Sequence, residues 1–171
     1  MEVLFLIGMK LKEQMKISMF YEVTLEQRWE KIFECDNAVG RDNDDQKTVL
    51  VDVAVETEDV SVAGRRAVRD EGGAERVVFF KSCEHGEEEV RVGLSMEVVE
   101  RMKWEQERVG WVSGDYEGRV RVERVEEFEG IWTKFESYVL VESFVLKRMD
   151  SMTVVLTYDF KHTHQIRCKW E

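Results

Sequence analysis

The chain holds three histidines, and each lies two residues from another potential metal ligand. Cys83 and His85 form one pair, and His162 and His164 form the other. Residues two apart on a strand point to the same side, so the two pairs could converge as a tetrahedral zinc site. Both pairs fall at predicted turns, however, and their spacing matches no standard zinc motif. We therefore expect no bound zinc; if a metal binds at all, His162 and His164 are its expected ligands.

The sequence offers little support for nucleophilic catalysis. Cys83 near His85 could be an activated thiol, but most neighbouring Cys and His residues have no such role. Ser113 lies in a glycine-rich stretch that lacks the strand–turn–helix context of a nucleophile elbow. No glycine-rich phosphate-binding loop occurs. The residue types therefore favour a non-enzymatic protein without a cofactor.

Large apolar side chains raise the alternative of a ligand cavity. Trp29, Trp104 and Trp132 could line an apolar pocket, and methionines could adapt its shape to a ligand. The chain has eight methionines and five tryptophans. Ordinary core filling is the commoner role of such residues. A carrier of an apolar small molecule nevertheless stays an alternative.

Composition restricts the partners. The 171 residues carry a formal net charge of -11, which disfavours nucleic acid and anionic membrane surfaces. No stretch approaches the length of a membrane span. Three cysteines do not form a disulfide framework, so we expect a soluble, cytoplasmic protein. A protein partner fits this composition best.

One helix is predicted near the beginning of the chain, over residues 25–39. Thr24 and Gln27 have the spacing of a capping box, and Gly40 could end the helix. Apolar residues follow at helical spacing, at Leu25, Trp29, Ile32 and Phe33. A strand over residues 16–24 precedes this helix.

Most of the remaining chain alternates between apolar and polar residues, which predicts strands. The alternation is clear over 49–55, 90–104 and 152–170, the last with a turn near 161–163. A helix from Ser95 to Val109 competes with a strand over 90–104, and the alternation favours the strand. The predicted fold is mostly β (α+β), an antiparallel meander, barrel or sandwich of about eight or nine strands.

The domain organisation follows from the same pattern. Residues 15–171 are expected to form a single β-rich domain, because no linker or repeat is visible. Met15 begins a segment that resembles a natural start. Residues 1–14 are therefore either an extension or a short strand at 3–7.

A strand, a helix with a buried tryptophan and a long antiparallel meander follow one another, with Val23–Phe33 at the strand–helix junction. This order resembles the helix-grip arrangement of START-like lipid and polyketide binders. The resemblance implies an apolar cavity for a small molecule. The chain departs from that pattern, because it ends in a predicted β-hairpin instead of a long closing helix.

Three functions remain open. The first is a protein-interaction module that uses an exposed sheet face or edge. The second is the START-like carrier with an apolar cavity. The third is a metal-dependent enzyme built on converging histidine or glutamate side chains.

Overall fold

The computed structural model of the chain describes residues 5–6, 21–37, 47–70, 76–83, 88–149 and 151–171. Within these ranges there are ten strands and one helix, α1, which spans Met96–Arg108. The strands are β1 (Phe5–Leu6), β2 (Tyr21–Asp36), β3 (Thr48–Glu56), β4 (Glu58–Val62), β5 (Arg65–Asp70), β6 (Val77–Ser82), β7 (Arg91–Ser95), β8 (Arg119–Glu127), β9 (Lys134–Arg148) and β10 (Val154–Trp170). No helix in the described ranges is both long enough and apolar enough to cross a membrane.

Eight strands form one sheet in the order β1-β7-β6-β5-β4-β10-β9-β2, and β3 and β8 form a separate two-stranded sheet. The pairings of β4 with β10, β5 with β6, and β6 with β7 are antiparallel. In the smaller sheet, β3 and β8 pair antiparallel along their whole lengths. The protein is therefore β-rich and antiparallel, as the alternation predicted. Its strands divide into two sheets, however, and do not form one meander.

The chain contains two compact units. The first comprises residues 1–26, 58–109 and 143–160, and the second comprises residues 27–57, 110–142 and 161–171. The expectation of one folding domain over residues 15–171 stays a prediction, because compactness does not measure independent folding. In the first unit, Phe5 and Leu6 of β1 pair with β7. Whether residues 1–14 are dispensable also stays a prediction.

The prediction of an N-terminal helix at residues 25–39 is wrong, because this segment belongs to strand β2. Leu25, from the predicted apolar stripe, is exposed, whereas Phe33 contacts the core of the second unit. Lys31 reaches β9, where its ammonium lies 3.3 Å from a carboxylate oxygen of Glu136. Pairing with β9 decides the conformation, since local helix propensity is weaker than tertiary contacts.

The prediction of one strand over residues 90–104 is also wrong, because β7 ends at Ser95 and α1 follows directly. The buried side chains of α1 share one helical face: Val98, Val99, Met102 and Gln106. Val98 and Met102 are also an even number of residues apart, so they satisfied the strand pattern as well. The helix packs against β6 and β7, and this packing selects the helical conformation.

Strand β10 continues through residues 161–163, where the sequence predicted a turn. The Lys161 backbone N–H donates a hydrogen bond of 2.8 Å to the Thr57 carbonyl. This bond holds the backbone extended at the position of the predicted turn. As a result, β10 is a single strand of 17 residues in place of the predicted hairpin.

The core of the second unit is rich in aromatic side chains. Its buried residues are Val49, Val51, Trp132 and Phe135. Phe33, Trp170 and several other half-buried side chains pack against them. The Phe135 and Trp170 ring centroids lie 4.4 Å apart, and those of Trp132 and Trp170 lie 5.1 Å apart. These contacts join β2, β3, β9 and β10 within this unit.

Candidate functional site

Thr57 is a buried junction between the end of β3 and the start of β4. Its carbonyl accepts the hydrogen bond from the Lys161 N–H, and its own N–H donates to the Gly118 carbonyl at 2.9 Å. Its hydroxyl accepts a hydrogen bond of 3.0 Å from the Gly114 N–H. Thr57 therefore holds two other segments in place. It positions Lys161 and Arg119, the neighbour of Gly118, beside the end of β3.

The turn before β8 also holds Arg119. A Cβ atom at Gly114 would lie 2.2 Å from the Arg119 nitrogen, so only glycine fits there. The Asp115 carboxylate accepts hydrogen bonds from the N–H groups of Glu117 (2.9 Å) and Arg119 (3.1 Å). These bonds close a tight turn, in which an aspartate side chain commonly takes this role.

A groove with a volume of about 420 Å³ lies between β2 and β3 in the second unit. We call it the β2–β3 groove. It is lined by Glu30–Ile32 of β2, Val53–Glu56 of β3, Arg119 and Lys161. Lys161 reaches the groove from β10, across β9, which lies between β10 and β2 in the larger sheet.

β2 and β3 each have one edge that is not paired with another strand among the described residues. β2 is the last strand of the larger sheet, and β3 pairs with β8 alone. An unpaired strand edge offers a row of backbone N–H and C=O groups to another extended chain. Each of the two strands that line the β2–β3 groove therefore has one such edge among the described residues.

Charged side chains surround these edges. The Lys161 ammonium lies 2.7 Å from a Glu30 carboxylate oxygen, and the Lys161 side chain is only 14% exposed. Arg119 pairs with Glu56 at 3.7 Å. Lys31 also lines the groove, but its ammonium pairs with Glu34 and, at 3.3 Å, with Glu136. The lining thus carries three positive and two negative side chains, although the whole chain has a net charge of -11.

A second polar cluster in this unit centres on Glu136, whose side chain is nearly buried. Glu136 accepts hydrogen bonds from the Tyr138 hydroxyl (2.6 Å) and the Lys31 ammonium (3.3 Å), and Lys134 lies 2.9 Å away. The Tyr138 hydrogen bond and then the lysines lower the pKa of Glu136 to about 2. A carboxylate with this pKa stays ionised and is a poor general base near neutral pH. We therefore interpret this cluster as structural.

The cluster predicts a loss of stability in acid. A carboxylate with a lowered pKa stabilises the folded state above its unfolded pKa, near 4.5, and this contribution falls as the pH drops toward 2. We expect Glu136→Gln to be less stable than the native protein at pH 7, and this difference to shrink between pH 4.5 and pH 2. Urea unfolding of both proteins across this range measures the difference. A difference that does not vary with pH would contradict the assignment.

Of the predicted zinc ligands, His162 and His164 belong to the second unit and Cys83 to the first. His162 is buried in the second unit, and its ring centroid lies 5.4 Å from that of His164. Burial lowers the pKa of His162, and the nearby Glu142 carboxylate opposes this effect. Cys83 is exposed in the first unit, and His85 lies outside the described residues. Among the side chains that the structure describes, no three His, Cys, Asp or Glu residues form a group that could hold a metal ion.

The three tryptophans proposed for an apolar cavity have different surroundings. Trp132 is buried in the core of the second unit. Trp29, also in the second unit, lies under the Arg167 guanidinium at 4.3 Å. Trp104 belongs to the first unit, is 47% exposed, and stacks with arginines of α1. None of the three lines the β2–β3 groove.

Two cysteines lie near the core of the second unit. Cys35 on β2 and Cys168 on β10 are half-buried and pack against the same core cluster. Burial raises the pKa of both thiols, which lowers their reactivity. β9 lies between β2 and β10, so the backbones at Cys35 and Cys168 are separated by two strand spacings, or about 9.5 Å. This distance is too long for a disulfide bond between the two cysteines.

Comparison with known proteins finds no matching family, no similar curated protein and no similar solved structure. The site must therefore be interpreted from its own chemistry. Sequence analysis predicted a protein-interaction module that uses an exposed sheet face or edge, and it assigned none of the groove residues to that surface. Lys161 fell in a predicted turn, and Ile32 fell in the predicted helix. No local pattern marks a strand as the last in its sheet, so the sequence contained no signal for this groove.

Proposed function

We propose that this protein is a non-enzymatic interaction module that binds an extended segment of a partner protein in the β2–β3 groove. The observation that carries the proposal is that β2 and β3, which line one groove, each have an edge that pairs with no other strand among the described residues. An extended peptide recognised in this way gains affinity from main-chain hydrogen bonds and specificity from its side chains. The peptide adds to β2 as a further strand of the larger sheet, and β3 forms the opposite wall.

The lining favours a peptide over an apolar small molecule. Pockets for drug-sized ligands are mostly apolar, with few polar groups. Five of the nine side chains along the β2–β3 groove are charged: Glu30, Lys31, Glu56, Arg119 and Lys161. A peptide backbone can use such polar surroundings, because every residue brings a donor and an acceptor.

A matched pair of substitutions tests the location. Ala54 and Leu50 are both exposed and share one face of β3, but only Ala54 lines the groove. We expect peptides selected from a phage-displayed library of random octapeptides to lose about tenfold or more in affinity for Ala54→Arg. The added side chain occupies the space of the peptide. Leu50→Arg adds the same charge outside the groove and should leave the affinity unchanged.

Main-chain recognition makes a second prediction about the same peptides. Methylation of single backbone nitrogens should weaken binding at every second peptide position, because alternate N–H groups of a strand point to the same edge. Each lost hydrogen bond should cost about 1 kcal/mol, as measured by fluorescence anisotropy. Selected peptides that bind Ala54→Arg as tightly as the native protein would contradict this site. The same holds for a library that yields no binding peptide.

A further inference from the structure

Strand β8 of the second unit has a free edge of its own, and only its first residue, Arg119, lines the β2–β3 groove. Among the described residues β8 pairs with β3 alone, in an unbroken register along all of its 9 residues. Sheet edges are commonly blocked by a short strand, a bulge or a proline, because unpaired backbone groups attract another strand. β8 has none of these features, so its edge is suited to pairing.

The ladder between β3 and β8 determines which backbone groups face this edge. The Phe128 N–H donates to the Lys47 carbonyl, and the Thr57 N–H donates to the Gly118 carbonyl, both at 2.9 Å. Hydrogen-bonded pairs alternate along an antiparallel ladder. The even-numbered residues of β8 therefore bond to β3, and the N–H and C=O groups of the odd-numbered residues point away from it.

Four residues of β8 have outward backbone groups that are available to a partner: Arg121, Glu123, Val125 and Glu127. A fifth, Arg119, already uses its N–H and its carbonyl in bonds to Asp115 of the preceding turn. In the described part of the chain, no hydrogen bond reaches the outward groups of the other four. The side chains of these four residues are all exposed. A strand that adds to this edge therefore pairs with residues 121–127.

The charges on this stretch are ordered along the strand. Arg121 is at its beginning and Glu127 at its end, and both side chains lie on the same face, because they are an even number of residues apart. Arg121 donates two hydrogen bonds of 2.6 Å to Asp52, which uses two of the five N–H donors of a guanidinium. Glu127 has no ion pair with any described residue. Each end of the stretch can therefore still bind a group of opposite charge.

A second copy of β8, running antiparallel, satisfies both the backbone and the charges. If residues 121–127 pair with the same residues of a second copy, Arg121 of each copy lies opposite Glu127 of the other. Glu123 then lies opposite Val125. All four residues have outward backbone groups, so each of these pairs exchanges two hydrogen bonds. Opposite charges that face each other across two strands stabilise the pairing.

The same register joins the exposed apolar residues of this face. Leu50 of β3 lies opposite Val125 in the ladder, and these two side chains are 56% and 62% exposed. The Val125 side chains of the two copies become diagonal neighbours, so an apolar row crosses all four strands. On the other face, Arg124 meets Arg124 of the second copy. Its ion pair with Glu126, at 3.0 Å, offsets this contact between like charges.

From these observations we infer that two copies of the chain form a two-fold symmetric dimer, in which their β8 edges pair antiparallel with Arg121 opposite Glu127. The two-stranded sheets of the copies join into one four-stranded sheet, in the order β3-β8-β8-β3. An interface of this symmetry needs a surface that is complementary to itself, and the order of charges along β8 meets this condition. The dimer does not depend on the proposed function, because peptide binding uses β2 and β3.

Sedimentation equilibrium of the full-length protein tests the dimer. We expect a particle of twice the chain mass of 20.2 kDa. Glu127→Arg places an arginine opposite Arg121 at two positions of the dimer, so the dissociation constant should rise by about tenfold or more. Glu100→Arg makes the same change of charge at an exposed position of α1 and should leave the dissociation constant unchanged.

A mixture of two variants tests the register. In a dimer of Arg121→Glu, two glutamates face each other at each end of the stretch, so this variant should also dimerise weakly. When it is mixed with Glu127→Arg, both facing pairs again have opposite charges. We therefore expect the mixture to form a heterodimer about tenfold or more tightly than either variant forms a homodimer.

Val125→Pro tests the backbone pairing without a change of charge. The Val125 N–H points to the free edge, so proline removes a donor from the dimer and none from the β3–β8 ladder. It should therefore weaken the dimer as well, and it keeps the test decisive if Arg121→Glu does not fold. A monomeric native protein would overturn the dimer, as would a dimer that both Glu127→Arg and Val125→Pro leave intact. A mixture that stays monomeric although both of its variants fold would overturn the pairing of Arg121 with Glu127.

Discussion

Replacing Phe135 with alanine is expected to lower the free energy of unfolding by about 3 to 5 kcal/mol, the usual cost of removing a buried aromatic ring. Phe135 is fully buried, and its ring centroid lies 4.4 Å from that of Trp170 and 6.1 Å from that of Phe33. The substitution therefore leaves a cavity between β2, β9 and β10. Urea unfolding followed by tryptophan fluorescence measures the change, since Trp132 belongs to the same core.

Phe128 provides a graded control for this prediction. Its ring stacks on Trp170 at 5.1 Å, but Phe128 is only half-buried and lies outside the fully buried part of the cluster. Because less apolar surface is lost, Phe128→Ala should cost clearly less than Phe135→Ala. An equal or larger cost for Phe128→Ala would show that the core of the second unit is not centred on Phe135.

Replacing Thr57 with valine should cost about 1 to 3 kcal/mol, although the two side chains have nearly the same shape. The Thr57 hydroxyl accepts a hydrogen bond from the Gly114 N–H and lies 3.2 Å from the Gly118 carbonyl. Valine leaves the Gly114 N–H without this partner at a partly buried position. Because Thr57 also positions Lys161 and Arg119, the variant should also bind groove peptides more weakly. Thermal unfolding measures the first effect and fluorescence anisotropy the second.

A serine substitution at the same position distinguishes the contribution of the hydroxyl to stability from that of the methyl group. Thr57→Ser keeps both hydrogen bonds and loses one methyl group, which costs about 0.8 kcal/mol. The valine variant should therefore be less stable than the serine variant. The opposite order would mean that packing of the methyl group, and not the hydroxyl, stabilises the junction.

The elements predicted correctly are those in which burial follows the local alternation of residues. Val49, Val51 and Val55 are buried on one face of β3. Leu156, Tyr158 and Phe160 are likewise buried on β10. Each of these segments buries one face. An alternation of apolar and polar residues with a period of two is therefore sufficient to identify the segment as a strand.

The errors concern segments whose pattern fits two structures. Thr24 and Gln27 have the spacing of a helix cap, yet they lie in β2. Val98 and Met102 fit both a strand face and a helix face, and contacts with β6 and β7 decide for the helix. For β2 the deciding partner, β9, is distant in the sequence, and for α1 it is the surface that β6 and β7 form together. Neither partner can be identified from the local pattern of residues.

The amino-acid sequence by itself determined the class of structure, because the alternation that makes strands amphipathic is local and needs no knowledge of neighbours. It also determined the acidic character of the chain and favoured an interaction module that uses a sheet face or edge. Only the tertiary structure decided which of the described strands lie at the edge of a sheet and which charges meet beside them. Glu30 and Lys161 are 131 residues apart in the chain, yet they form one ion pair. A strand becomes an edge through the absence of a neighbour, and that absence is a property of the whole sheet and not of the residues in the strand.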